Sequence, residues 1–165
     1  MAEEAFERKR DGGSVSGAGG RGLVREMEEG DLPAVAAIEE ASFPNPWPLE
    51  ALRHELVQNP FCRAFVAEEE GTVAGYAYLW VIFDQGHLIN IAVDPRFRGR
   101  GLGEALLRRV LREAVGQGAR AVHLEVREQN GPAIVLYRKH GFEVLGKVEK
   151  YYSDGAAALM MEKVF

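Results

Sequence analysis

Apolar and polar residues alternate along this chain with two different periods, and the switches between them mark out the elements. Leu23–Met27 reads as a first strand. Gly30-Asp31-Leu32-Pro33 then opens a helix whose apolar positions Leu32, Val35, Ala36 and Ile38 have helical spacing, with Asp31 as its cap and Pro33 in its first turn. Pro44, Pro46 and Pro48 break the chain, and a second helix carries Leu49, Leu52 and Leu56 on one side before stopping near Pro60. Ala64–Glu68 and Thr72–Phe83 predict a hairpin turning at Glu70-Gly71, and His87–Val93 predicts a short apolar strand ending at Asp94-Pro95. A glycine-rich turn leads into the strongest helix, Gly101–Val115. Its stripe is Leu102, Leu106, Val110 and Ala114, widened by Leu107 and Leu111, and Gly116 and Gly118 close it. Ala121–Arg127 predicts a strand, Asn130–His140 a short helix with Gly141 at a left-handed C-cap, and Phe142–Glu149 with Ala157–Val164 a closing hairpin. No internal repeat is present. Strands and helices mix throughout, which predicts an α/β (α+β) class with a mixed sheet.

The first twenty residues break this pattern. Met1–Arg10 alternate in charge, and Asp11–Gly20 are nearly all Gly, Ser and Ala, too little apolar surface to offset the entropy of ordering. Residues 1–20 are therefore expected to be a disordered tail, and residues 21–165 one folded domain. At 47% apolar residues, the whole chain can bury a sizeable core. Its formal net charge of −5 argues against nucleic acid as a direct partner, since phosphate contacts favour a basic protein. A single cysteine, Cys62, cannot close an internal disulfide. No apolar run approaches the ~20 residues that span a bilayer, and the start of the chain lacks the apolar core of a secretory signal. The expectation is a cytoplasmic protein without a membrane partner.

The most informative stretch is Ile89-Asn90-Ile91-Ala92-Val93-Asp94-Pro95-Arg96-Phe97-Arg98-Gly99-Arg100-Gly101-Leu102-Gly103. A strand runs into a glycine-rich turn and then a helix N-terminus. Free backbone N–H groups and the positive end of the helix dipole meet there, so phosphate is favoured. Glycines leave the backbone approachable, and Arg96, Arg98 and Arg100 add positive charge. A Walker A loop would end in Gly-Lys-Ser/Thr, which is absent. A dinucleotide fingerprint needs Gly-x-Gly-x-x-Gly, whereas these glycines fall as Gly-x-Gly-x-Gly. The pattern Arg/Gln-x-x-Gly-x-Gly/Ala is matched by Arg98, Gly101 and Gly103. A structural tight turn before a helix would also accommodate these residues.

That last pattern is the acetyl-CoA pyrophosphate signature of the GNAT superfamily, and the surrounding residues extend the resemblance. From His87 to Phe142 the chain resembles the ribosomal-protein-alanine N-acetyltransferases of the RimI type. The resemblance rests on Asn90-Ile91-Ala92-Val93-Asp94-Pro95, Gly101-Leu102-Gly103, Leu124-Glu125-Val126-Arg127, Asn130, and Leu136-Tyr137 before Gly141-Phe142. Phe43-Pro44-Asn45-Pro46-Trp47 resembles that family's Phe-Pro-Trp segment with an insertion, and Tyr151-Tyr152-Ser153-Asp154-Gly155 its tyrosine-pair loop. It covers about residues 22–163. It implies the GNAT fold, with a central mixed, mostly antiparallel twisted sheet flanked by helices. It also implies acetyl-CoA as cosubstrate and the N-terminal α-amine of a protein as acceptor, with the N-terminal alanine of a small-subunit ribosomal protein (number eighteen) as the leading candidate. The alternatives are a small-molecule amine or protein lysine as acceptor, or a CoA-binding regulator without turnover.

Alternation on Ala121–Arg127 sets His123, Glu125 and Arg127 against Val122, Leu124 and Val126, so Glu125 points away from an apolar face. Spacing alone fits a surface or salt-bridged Glu, with Arg127 as a partner; the resemblance implies that Glu125 is the general base. An α-amine, with a pKa of ~8 against ~10.4 for lysine, suits a modest carboxylate base better. The resemblance also implies that Tyr137 protonates the departing CoA sulfur, although a short amphipathic helix uses such a tyrosine for packing as readily. Asn130 can cap its helix, and in the resembling family this position touches the cofactor. The cofactor contacts implied in this way are Ile91, Ala92, Val93, Arg98, Gly99, Arg100, Gly101, Leu102, Gly103, Glu104, Asn130 and Tyr137. A backbone N–H of Ile91–Val93 can polarise the thioester oxygen. Asn90 is expected to satisfy a local hydrogen bond, and Cys62 to be core. His54, His87, His123 and His140 show no metal-ligand spacing, so no metal is expected; His123 is a weak candidate for tuning Glu125. Lys150 before Tyr151, and Ala156-Ala157 in place of an acidic pair, depart from the family pattern in the loop that receives the acceptor.

Overall fold

The computed structural model describes residues 22–165, and the tail expected over residues 1–20 lies outside the described residues. Seven strands form one sheet: β1 (Leu23–Glu26), β2 (Cys62–Glu69), β3 (Thr72–Ile82), β4 (Gln85–Val93), β5 (Ala121–Arg127), β6 (Glu143–Val148) and β7 (Ala158–Val164), in the order β1-β2-β3-β4-β5-β7-β6. The α-helices are α1 (Leu32–Ser42), α2 (Leu49–Val57), α3 (Leu102–Gly116) and α4 (Gly131–Lys139). Every neighbouring pair of strands is antiparallel except β4 and β5, so the sheet is mixed and mostly antiparallel, as expected.

The β2–β3 hairpin turns at Glu70 and Gly71, with φ of 54° and 74°, because two consecutive left-handed residues match the twist of the flanking strands. A second hairpin joins β3 to β4 and has no glycine at its bend. There Phe83 itself takes φ 53°, which is why the sequence reading carried β3 to Phe83 and started β4 only at His87. Asp31 does not cap α1. A short 3-10 turn, Glu29–Asp31, precedes the helix, and the Asp31 carboxylate instead takes both terminal nitrogens of Arg25 at 2.8 Å and the Glu28 N–H at 2.8 Å. A bidentate guanidinium outcompetes a neutral cap.

Helices cover both faces of the sheet. The stripe Leu102, Leu106, Leu107, Val110 and Ala114 packs on Ala77, Leu79, Leu88, Ile91 and Val93, with Leu124, Val126 and Tyr137 in the same cluster. On the other face Leu32, Val35, Ile38 and Leu52 pack on Val66, Tyr76, Tyr78 and Ala92. Each such buried Leu, Ile or Val contributes ~1.5–3 kcal/mol relative to exposure.

The centre of the sheet splays. β4 pairs with β5 only at Gln85–His87 against Ala121–His123. Beyond that point β4 stays with β3 as far as Val93, while β5 stays with β7 as far as Arg127. A wedge therefore opens between residues 88–93 and 124–127, with its apex at the His87↔His123 pair. The register of β3 and β4 steps from Tyr78↔Asn90 to Leu79↔Leu88, leaving Ile89 as a bulge. Bulges bend a strand and locally interrupt its ladder, and this one sits on the wedge.

Candidate functional site

At the wide end of the wedge β4 delivers the glycine-rich turn to α3. Gly99 and Gly101 hold φ of 78° and 82°, and Gly101 is the N-cap residue of α3. No side chain caps this helix, and a Cβ built at either glycine would meet nothing within 4 Å. The first amides of α3, on Leu102, Gly103 and Glu104, thus lack both an intrahelical acceptor and a capping one. Amides at the positive end of a fifteen-residue helix, beside open backbone, suit a pyrophosphate.

The arginines of this turn are held by the protein, an arrangement that sequence could not show. Arg98 donates Nε to the Val93 carbonyl at 3.0 Å and reaches Ser42 Oγ at 3.4 Å, fastening the turn to the end of β4 and to α1. Arg96 grips Asp94 at 2.8 Å, Arg100 meets Glu69 at 3.3 Å, and the two guanidinium groups lie 5.5 and 5.2 Å from the Phe97 ring centre. Glu104 turns its side chain toward α4, bonding Lys139 at 2.9 Å and His140 at 3.0 Å. Those contacts, Lys139 first, hold its carboxyl below the usual range despite some burial. Of Glu104, then, the backbone amide is the part suited to a phosphate. Ile91, Ala92 and Val93 are buried, so their side chains serve the core and only the backbone of β4 on the wedge side is available to a ligand.

Glu125 is placed by β5 just beyond the apex, with its side chain 12% exposed. The sequence reading left Arg127 as a possible partner. Instead Glu125 Oε2 lies 2.7 Å from His87 Nε2 on β4, and Arg127 pairs with Asp154 at 2.7 Å. Burial pushes the Glu125 carboxyl up, but the His87 hydrogen bond and the charges of His87 and His123 outweigh it and leave it below its ordinary value. Glu125 is therefore an anion at neutral pH, a state in which a base can act. His123 stacks on His87 with ring centres 4.3 Å apart and planes 25° apart.

Tyr137 is fully buried on α4 and packs against Phe142, with ring centres 5.6 Å apart. Asn130 is the N-cap of α4 as expected, its side chain accepting from the Ala133 N–H at 3.2 Å, and Gly141 takes φ 89° after the helix. Tyr137 shares a buried cluster with Leu124, Val126, Ile91 and Val93, whereas Glu125 projects from the opposite face of β5. Proposed acid and proposed base thus approach the wedge from opposite faces of the sheet.

On the Glu125 face lies a cleft of about 500 Å³ lined by Phe43, Pro44, Asn45, Arg127, Tyr151, Tyr152 and Ser153. Strand spacing sets Arg127 ~7 Å along β5 from Glu125 and on the same face. Its guanidinium sits 4.3 Å from the Tyr152 ring centre, and Asn45 Nδ2 donates to Ser153 Oγ, closing the rim. Ala157 is buried, so the departure from an acidic pair falls partly inside the loop, while Asp154 keeps a carboxylate at its edge. The loop residue Trp47 is anchored by a group that sequence reasoning missed. Glu39, 1% exposed, accepts from the Trp47 N–H at 3.0 Å, from Asn90 Nδ2 at 2.9 Å and from the Tyr76 hydroxyl. Burial pushes its carboxyl up to about 7. Asn90 therefore finds its partners on α1 and β3 rather than locally. The available signal was a charged residue on the stripe Leu32, Val35, Glu39, Ser42, a register that points every member into the core. Among the described residues no group of His, Cys, Asp or Glu is arranged to hold a metal, and no helix is long and apolar enough to cross a membrane.

Comparison with known proteins gives the family and the fold. The family model described as the acetyltransferase (GNAT) family matches residues 32–142. A Bacillus subtilis protein, provisionally named a [ribosomal protein bS18]-alanine N-acetyltransferase, is 39% identical over 142 residues, covering 86% of this chain and 94% of that protein. The [ribosomal protein bS18]-alanine N-acetyltransferase of Escherichia coli strain K12 is 34% identical over 134 residues, covering 80% and 89%. The crystal structure of the ribosomal-protein-S18-alanine N-acetyltransferase from Escherichia coli superposes with a TM-score of 0.80 at 33% identity, over 87% of this chain and 94% of that one.

Proposed function

The chain belongs to the GNAT family of acetyltransferases, and on that premise we propose that it moves the acetyl group of acetyl-CoA to the N-terminal α-amine of a protein. The proposed acceptor is the N-terminal alanine of small-subunit ribosomal protein eighteen, as the names of its relatives suggest. The observation that carries this reading is an ionised, largely buried carboxylate, Glu125, on the cleft face of β5 where β4 and β5 part.

In this reading the acetyl-CoA pyrophosphate takes the amides of Leu102, Gly103 and Glu104 around Gly99, Arg100 and Gly101, with Arg98 holding the turn in place. Asn130 caps the start of α4. The thioester is the activated acyl donor. Backbone N–H groups of Ile91, Ala92 or Val93 on the open side of β4 polarise its oxygen. The acceptor N-terminus enters through the cleft between Tyr151-Tyr152 and Phe43-Pro44. Glu125 removes a proton from the attacking amine and Tyr137 gives one to the departing thiolate. An amine of pKa ~8 is partly neutral at physiological pH, so a carboxylate of low basicity is sufficient, whereas a lysine at ~10.4 demands more. The test is acetyl-CoA turnover on peptides with varied first residues, each with its α-amine free or blocked. Turnover confined to free α-amines, fastest with alanine first, is expected. Equal turnover on blocked peptides that retain a lysine, or on small amines alone, would refute the acceptor assignment. Absence of turnover on every amine would leave a CoA-binding regulator.

A further inference from the structure

His87 lies on β4 at its last residue paired with β5, yet its ring reaches across to Glu125. A carboxylate can only accept a hydrogen bond, so at 2.7 Å the proton must lie on His87 Nε2. The imidazole is clamped on both sides. Trp80 meets it edge-on, with ring centres 6.4 Å apart and planes 87° apart, and Trp80 Nε1 is itself fixed to Glu55 Oε2 on α2 at 2.8 Å. His123 stacks on its other side at 4.3 Å. The charged and titratable groups around this ring are Glu125 and His123 on β5 and Glu55 on α2. Glu162 on β7 pairs across from His123, and Glu143 on β6 pairs across from Glu162. His123 is held below its ordinary value by burial first and by the charge of His87 second. His87 is therefore the ring that bonds the base, and His123 the ring that backs it. The sequence points to His123 for this task, but the hydrogen bond comes from His87, thirty-eight positions before Glu125.

We propose that His87 is a positioning residue for the acetyl-transfer base: its Nε2–H fixes one carboxylate oxygen of Glu125 and leaves the other to take the proton of the acceptor amine. The inference rests on the reading of Glu125 as base. As the amine nitrogen bonds to the acetyl carbon and the carbon–sulfur bond breaks, the amine proton goes to the second Glu125 oxygen and the sulfur receives its proton from Tyr137. His87 keeps its Nε2 proton throughout, and no proton passes through the ring. Its further effect is electrostatic, because its donated hydrogen bond keeps Glu125 ionised against the burial that would protonate it.

The test compares His87→Leu, which lacks the donor, with His87→Gln, which keeps an N–H donor but cannot ionise. Carbon-13 NMR of glutamate side-chain carboxyls reads the Glu125 titration directly, with Glu125→Gln identifying its signal. Turnover of acetyl-CoA with an alanine-first peptide reads the consequence. In His87→Leu the Glu125 midpoint is expected to move to higher pH, because the strongest opposition to burial is then gone. Its kcat should fall roughly tenfold or more, the scale of losing a hydrogen bond to a charged group, with KM for acetyl-CoA unchanged. His87→Gln should return the midpoint downward and recover most of kcat. A folded His87→Leu enzyme with an unmoved Glu125 midpoint would overturn the proposal, as would a loss of kcat that Gln does not recover. Should Glu125→Gln itself turn over like the wild type, the base assignment fails, and this proposal with it. Loss of turnover in Glu125→Gln beside an unaffected His87→Leu would sink the His87 proposal alone.

Discussion

Glu39 should make the protein lose stability as the pH rises toward neutrality, against the trend set by most of its other shifted acids. The residue is 1% exposed, its carboxyl accepts three hydrogen bonds, and among the described residues no cation is bonded to it. Burial raises it from the ordinary 4.5 to about 7, and the Trp47 and Asn90 donors only partly oppose that. The native state therefore holds a proton that the unfolded chain gives up near 4.5. The resulting stability is fully present below that pH and is lost as pH climbs through 7. At ~1.4 kcal/mol for each pH unit between the two midpoints, the loss is about 3 kcal/mol. Asp31, Asp94 and Glu104 are held low and act in the opposite direction, so the raw pH–stability curve mixes both effects. Glu39→Gln separates them. Glutamine keeps a carbonyl oxygen for the Trp47 N–H and does not titrate, and its amide can donate toward Asn90 Oδ1, which is buried and has no hydrogen-bond partner among the described residues. Urea unfolding of wild type and variant from pH 4.5 to 8 gives the difference in stability. That difference should shift by about 3 kcal/mol in favour of the variant across the range. A flat difference would show that Glu39 titrates at its ordinary value and that its three donors offset its burial.

Gly101→Asp places a side chain and a negative charge against the first amides of α3. The folded variant should lose the thermal stabilisation that CoA gives the wild type, ~2.7 kcal/mol at a hundredfold excess over Kd, and an unchanged response in calorimetry would move the cofactor site elsewhere. Glu125→Gln should lower turnover by ~10²–10⁴-fold and recover as pH rises and the amine becomes neutral unaided. Tyr137→Phe should not recover with alkali, and equal rescue of both in pH–rate profiles would remove Tyr137 as the acid. Asn130→Ala deletes the hydrogen bond to the Ala133 N–H and should cost about 1 kcal/mol, seen as a Tm lower by ~2–4 °C; an unchanged Tm would mean that water replaces the cap. Tyr152→Ala removes an aromatic wall of the cleft and the ring on which the Arg127 guanidinium lies. It should raise KM for the peptide while leaving KM for acetyl-CoA alone, and the reverse pattern would place the acceptor elsewhere.

The sequence by itself determined the elements and the glycine-rich turn before α3, because both are local. Helical spacing from Leu102 to Ala114, alternation from Ala121 to Arg127, the Glu70-Gly71 bend and the Asn130 cap each depend on residues a few positions apart. The same short-range logic put Gly101 at the start of α3 with its amides uncapped. Where a short-range cue was missing, at the glycine-free bend around Phe83, the reading lost the hairpin. It also misread Asp31, because a cap is the local option and the guanidinium of Arg25 is the stronger one. Tertiary structure alone decided which partner each charged group found. Glu125 was legible as a carboxylate turned away from the apolar side of β5, but its partner comes from β4 across the apex of the splay. Glu39 went unread although its register falls on a buried stripe, and its donors come from β3, β4 and the loop after α1. The splay itself has no sequence signature, since it depends on where two parallel strands stop pairing, and neither strand encodes that alone. Periodicity reports which way a side chain points; only the packing of distant strands fixes what it meets there, and a carboxylate's ionisation state follows from that meeting.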